Sequence, residues 1–141
     1  MAAIPLSDEH LVTLQQIHQN AAWVAENIGK QSGIEPFAYT AESVDYLEQF
    51  LVRQEAMVKA SQLGINKYVH LLGAYLGECI LANYGGEWQE SPQGLANLIR
   101  TKTRAHWFQP FHKVYERITG GSEHNLGFYF SKFIPEVLAS K

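Results

Sequence analysis

The residues of this chain whose types could do chemistry are few and scattered. Glu78 stands out as a carboxylate inside a run, Val69 to Ala82, that is mostly apolar. Such a group must reach water, a cation or several donors, because an unpaired buried charge is costly. Its bland reading is a structural salt bridge or hydrogen bonds to the following loop. Glu87 follows just past Gly85-Gly86, and two carboxylates in one cleft would permit acid–base work. Cys79, the single cysteine, is adjacent to Glu78. A nucleophilic thiol needs a base and an electropositive, partly exposed site. His70 is roughly 13 Å away along a helix, too far to be that base within it. Cys79 therefore reads as a small core residue. The histidines (His10, His18, His70, His106, His112, His124) show no His-x-x-x-His pair and no carboxylate-flanked metal motif. There is no Gly-x-Ser-x-Gly elbow, no P-loop and no Gly-x-Gly-x-x-Gly loop. No metal and no cofactor is expected.

The elements that must position these groups are legible in the spacing. Ser7 is placed to cap a first helix, with Asp8 and Glu9 in its first turn, where the helix dipole favours acids. Leu11, Leu14, Ile17, Ala21, Val24, Ala25 and Ile28 then recur at helical spacing, and Gly29 closes the helix. Residues 30–36 read as a loop. Thr40 caps a second helix, with Val44, Leu47, Leu51 and Val58 on one face. Glu42, Asp45, Glu48 and Glu55 line much of the other, and Gly64 ends it or the turn after it. The third helix, 65–84, is apolar on most sides and is expected to be central. Gly73 and Gly77 share a face of it and cost propensity, which predicts close approach of another element. Gly85-Gly86 stops it.

Trp88 is expected to seal the next strand onto that helix, and Ser91 to Gly94 is a turn signal. From Asn97 to Trp107 the period changes to two, with Arg100, Lys102, Arg104 and His106 on one side, as in an antiparallel hairpin. Pro110 opens a short helix through Ile118. The aromatic-rich run 126–133 reads as helix, interrupted by Pro135. The fold class is α+β: N-terminal long helices, a small antiparallel hairpin or sheet, and shorter C-terminal helices. The chain is read as one domain, 1–141, with an N-terminal helix and loop (1–36) and a core (37–141).

Composition narrows the function classes. With 46% hydrophobic and 18% charged residues, the chain is not of the disordered class. The longest mostly apolar stretch has 14 residues and contains Glu78, too short to span a bilayer. No secretory signal is read at the N-terminus. A lone cysteine fits a reducing compartment, so a cytoplasmic location is expected.

Charge is polarised. Residues 1–90 carry 4 basic and 11 acidic side chains, net −7, and residues 91–141 carry 7 basic and 3 acidic, net +4. The acidic stripe of the second helix, with Tyr46 and Gln49 beside it, is a candidate surface for a basic protein partner. Its plain alternative is a solvated face. Arg100, Lys102 and Arg104 stand roughly 6–7 Å apart along an extended strand, a spacing that can track phosphates. Yet the chain has only 11 lysines and arginines, few for a dedicated nucleic-acid module. The same strand is equally a charged, aggregation-resistant edge.

A series of motifs carries a resemblance. Leu72-Gly73-Ala74-Tyr75-Leu76-Gly77-Glu78, then Gly85-Gly86-Glu87-Trp88, resembles a family of small uncharacterised bacterial proteins with a Leu-Gly-x-Tyr-Leu-Gly-Glu helix followed by Gly-Gly-x-Trp. Pro110-Phe111-His112-Lys113-Val114, Gly121-Ser122-Glu123 and Phe128-Tyr129 extend it, so that it covers residues 40–134. The resemblance implies no catalytic activity. Small bacterial proteins of this kind are frequently immunity proteins, which implies by analogy a binding protein that neutralises a cognate antibacterial toxin by occluding it. The alternatives are a small enzyme using Glu78 and Glu87, with His70 or Cys79, and an anion-binding adaptor using Arg100, Lys102 and Arg104.

Overall fold

The architecture is taken from a computed structural model, which describes residues 10–140. The expected cap at Ser7, with Asp8 and Glu9, lies outside the described residues. Within them the first helix starts later than its periodicity suggests. Val12–Thr13 (β1) is a short strand, and Thr13 caps α1 (Leu14–Trp23). Its side chain accepts from the Gln16 amide while the Gln16 side chain accepts from the Thr13 amide, the reciprocal pair of a capping box. The helix then widens into a π turn, Val24–Ile28, and tightens into a 3₁₀ turn, Gly29–Gln31.

Thr40 caps α2 (Ala41–Arg53) as the spacing predicts. A short α3 (Glu55–Val58) follows a break at Gln54. Gly64 does not end this segment. It sits in the first turn of α4 (Gln62–Tyr84), where its amide donates to the capping hydroxyl of Ser61. As its all-round apolarity requires, α4 is central. Residues 71–77 are buried without interruption, and α1 and α5 pack against it.

The two glycines of α4 are where those neighbours come close. A Cβ at Gly73 would collide with the ring and Cα of Phe111, and one at Gly77 with the Trp88 indole. Gly85 and Gly86 turn the chain into β2 (Glu87–Glu90) with φ of +80° and +103°, the region in which side chains are strained. Gly86 also lies against the Arg100 carbonyl, where no Cβ fits.

The sheet is antiparallel throughout. β3 (Leu95–Arg100) pairs with β2 in the register Trp88↔Ile99. It also pairs with β1 (Val12↔Ala96) and with β4 (Trp107–Phe108; Ile99↔Phe108). Ala96 to Arg100 are all buried, so β3 is covered on both faces.

The antiparallel hairpin expected over 97–107 is present as β3 and β4, but the alternating strand face assigned to Arg100, Lys102, Arg104 and His106 is not. The strand stops at Arg100, and 101–106 form a tight loop with Arg104 at φ +62°. The alternation in 97–107 did not report a half-exposed strand, because its first half is doubly covered and its second half is a turn.

α5 (Pro110–Gly120) opens on its proline. Leu126–Phe128 (α6), a π turn at Tyr129–Phe133 and α7 (Ile134–Ala139) form one continuous helical run. Pro135 does not interrupt it. The Ile134 amide bonds back to Tyr129, five residues away, and this widened turn accommodates a residue that brings no amide hydrogen.

The second corrected expectation concerns α2. Glu48 is not on its solvent face but buried. Its Oε1 and Oε2 accept from Arg117 Nε at 3.0 and 2.7 Å, and Oε2 also lies 2.7 Å from Arg117 Nη2. Oε1 further accepts from the Leu126 amide at 2.9 Å. Tyr46 is buried as well, against Phe37, with its hydroxyl accepting from Arg53. α2 packs on α4 with one side and on α6 with another, leaving only a narrow stripe in solvent.

Truncating either partner of the Glu48–Arg117 pair strands the other charge in the core. Glu48→Ala and Arg117→Ala are each expected to lose about 3–5 kcal/mol of stability, measured by urea unfolding. A loss below about 1 kcal/mol would show that the pair is dispensable.

His70 supplies a pH-dependent contribution. It is half-buried on α4, edge-on to Phe111 and to His10, whose ring also meets Tyr115. Its Nε2 is enclosed without a hydrogen-bond partner among the described residues. Burial pushes its pKa below the usual 6.5, and the nearby His10 pushes the same way. The fold thus prefers neutral His70, while the unfolded chain takes up the proton near 6.5. Stability from this group is constant above that pH and falls as pH drops through 6.5 towards the folded value. The decline in urea midpoint between pH 7 and pH 5 is expected to shrink in His70→Gln. An unchanged decline would assign it to other groups.

Candidate functional site

The four residues of the acid–base reading are each held in a different setting. Glu78 Oε2 accepts from the Trp88 indole at 3.1 Å, and Oε1 lies 3.4 Å from His18 Nε2. Gly77 and Glu78 together clamp Trp88, the first by making room for the ring and the second by accepting its N–H. The carboxylate also helps burial to push the Tyr39 phenol above its usual range.

Glu87 is exposed and pairs with Arg104 at 3.4 Å. Cys79 is fully buried, and desolvation pushes its thiol pKa up to about 12. His70 faces Phe111 and His10 instead. The structure therefore does not bring the quartet into one cleft. Among the described residues, no three His, Cys, Asp or Glu side chains gather closely enough to hold a metal ion.

The basic series fares similarly. Arg100 is buried, and its Nε and Nη2 both donate to the Arg104 carbonyl, at 3.3 and 3.0 Å. Lys102 lies across Gly85 at the end of α4. Arg104 pairs with Glu87. The extended strand that would have aligned the three cations ends at Arg100, so the regular ladder read from their spacing is not formed.

Of the acidic stripe, Glu42, Asp45, Gln49 and Glu55 are exposed and Tyr46 and Glu48 are not. Glu55 pairs with Lys59 at 3.6 Å. Asp45 lies against the backbone of Gly127 on α6, so closely that a Cβ there would meet its carboxylate. Phe128, the next residue along α6, is 63% exposed.

Phe128 is one wall of a surface that the spacing did not reveal. A groove runs along α5 and is floored by the π turn. Tyr129 and Phe133 stack across that turn, with ring centroids 5.5 Å apart and planes 16° apart. At the β4 end, Trp107, Phe108, His112 and Val137 help to enclose about 320 Å³. At the other end, Glu116, Glu123 and Phe128 help to enclose about 260 Å³. Lys113 lines both, with its ammonium 5.2 Å from the Tyr129 ring centroid. Trp107 and Phe133 are 49% and 45% exposed.

One signal for this groove was present. Residues 128–133 hold four aromatics, Phe128, Tyr129, Phe130 and Phe133, more than one stripe of a short surface helix can bury. π turns also occur frequently at functional sites.

No family model, no curated protein and no solved structure matches the chain. The fold and the groove thus define an α+β protein with an aromatic, partly acidic surface cleft. Among the described residues, no helix is long and apolar enough to cross a membrane.

The Cys79 assignment is open to direct measurement. A thiol-reactive dye at pH 8 is expected to leave the native protein unlabelled and to label it once in denaturant. Rapid labelling of the native protein would place the thiol in a reactive pocket.

Proposed function

We propose that this chain is a protein-binding protein, and specifically an immunity protein that neutralises a cognate antibacterial toxin by occluding it. The observation that carries the reading is the setting of Phe128. The exposed Phe128 ring shares its cleft with Glu116 and Glu123, and the residue before it, Gly127, lies against Asp45 of the α2 stripe that also carries Glu42. Aromatic anchors dominate binding energy, while surrounding charges steer encounter and orientation. Such a surface suits a partner with a basic cleft, as toxins that act on nucleic acids present. Two further features support the reading. α2 is rigidly backed by the Glu48–Arg117 pair, so little ordering is required on association. The Leu-Gly-x-Tyr-Leu-Gly-Glu and Gly-Gly-x-Trp motifs, which carry the family resemblance, serve the Trp88 clamp, a scaffold for a surface.

The test pairs the full chain with the toxin encoded beside its gene. Co-expression is expected to protect the cell and to yield a stoichiometric complex on size-exclusion chromatography. Phe128→Ala and the Glu42→Lys/Gln49→Lys double variant, all at exposed positions, are each expected to weaken binding at least tenfold with an unchanged circular dichroism spectrum. Survival of toxin-expressing cells without this protein, or full affinity in both variants, would overturn the proposal.

A further inference from the structure

The α6 end of the groove has a composition that selects its guest. Three aromatic rings, Phe128, Tyr129 and Phe133, and two carboxylates, Glu116 and Glu123, share one cavity of about 260 Å³. That is below the roughly 300–1,000 Å³ of small-molecule pockets, and a size for one long side chain. Ring faces are negative, and a cation within about 6 Å of a centroid is attracted to them. The chain already shows this attraction, since Lys113 holds its ammonium 5.2 Å from the Tyr129 ring centroid.

The carboxylates are not saturated by close partners. Glu116 is 3.9 Å from His112, and Glu123 is 3.9 Å from His124. Even counting Lys113, the charged side chains of the cavity sum to net negative. The Tyr129 phenol registers this field: burial raises its pKa, and the negative charge of Glu116 raises it further.

From this geometry we infer that the cavity is an aromatic–acidic cage for the guanidinium of an arginine presented by a partner protein. Arginine is favoured over the other cations by its chemistry. Its plane stacks on aromatic faces, and its five N–H donors suit carboxylates at the rim. A quaternary ammonium has no N–H to offer Glu116 and Glu123. A second lysine would bring a compact, strongly hydrated charge next to Lys113. The inference rests on the reading of this surface as a protein-binding one, and it names the partner residue the surface takes.

The experiment needs no toxin, so its failure is separable from failure of the immunity reading. N-acetyl-L-arginine amide is titrated into the ¹⁵N-labelled full chain and followed by amide chemical shifts. Saturable shifts are expected at Glu116, Glu123, Phe128, Tyr129 and Phe133. The neutral isostere N-acetyl-L-citrulline amide is expected to bind at least tenfold more weakly, as is the arginine probe to Glu116→Gln/Glu123→Gln.

Lys113→Met is expected to tighten arginine binding severalfold, because it removes the internal cation competing for the Tyr129 face. A purely structural role for these residues would not produce that gain. Three outcomes would overturn the cage: no saturable shifts, equal binding of citrulline, or binding to Lys113→Met that is unchanged or weaker. Tighter binding of tetramethylammonium than of arginine would overturn the guanidinium assignment.

Discussion

A carboxylate buried among helices has to be neutralised where it stands, and Glu48 is neutralised by Arg117. The pair joins α2 to α5, and the Leu126 amide brings the start of α6 to the same carboxylate. α2 thus meets, on one carboxylate, two neighbouring elements that lie 69 and 78 residues further along the chain. The low local dielectric makes each of these hydrogen bonds strong and makes leaving any of them out costly. The position of α6 fixes the π turn behind it, and with it the rings of Tyr129 and Phe133 that floor the groove. The surface on which binding is proposed is a consequence of how this buried charge is satisfied.

The second constraint is steric. α4 runs through the middle of the molecule, and its two inner glycines set how near its neighbours lie. Phe111 rests on Gly73 and the Trp88 indole on Gly77, with Glu78 holding the indole N–H. Residues whose types suggested catalysis are used here to lock a strand and a helix onto the core. Glu78 is the plainest case: the Trp88 indole donates to one oxygen of this carboxylate and the exposed His18 lies 3.4 Å from the other.

Charge, in contrast, organises the exterior. The N-terminal portion is acidic and the C-terminal portion basic in sequence, but the fold does not keep them as two separate ends. Asp45 from the acidic part lies against Gly127, and Glu116 and Glu123 from the basic part line the same neighbourhood. The cavity beside Phe128 holds two carboxylates and one ammonium, although residues 91–141 as a whole are net basic. The field of these charges depends on separation in space and on the local dielectric, not on separation along the chain.

How much could be read in advance depends on the range of the interaction concerned. The cap at Thr40, the central burial of α4, the close approach at Gly73 and Gly77, the turn at Gly85-Gly86 and the α+β class follow from local spacing and side-chain chemistry. These rest on periodicity and backbone sterics, which the sequence carries within a few residues. The burial of Glu48 and Tyr46, the end of β3 at Arg100, the helix running on through Pro135 and the groove itself did not follow. Glu48 is one more acid on an amphipathic helix until α5 delivers Arg117 and α6 delivers an amide. Phe128 and Phe133 read as core-like aromatics, yet the fold leaves them 63% and 45% exposed. Local order is encoded by neighbours in the chain, whereas the pairing of a buried charge and the exposure of a ring are settled by which distant segments arrive beside them.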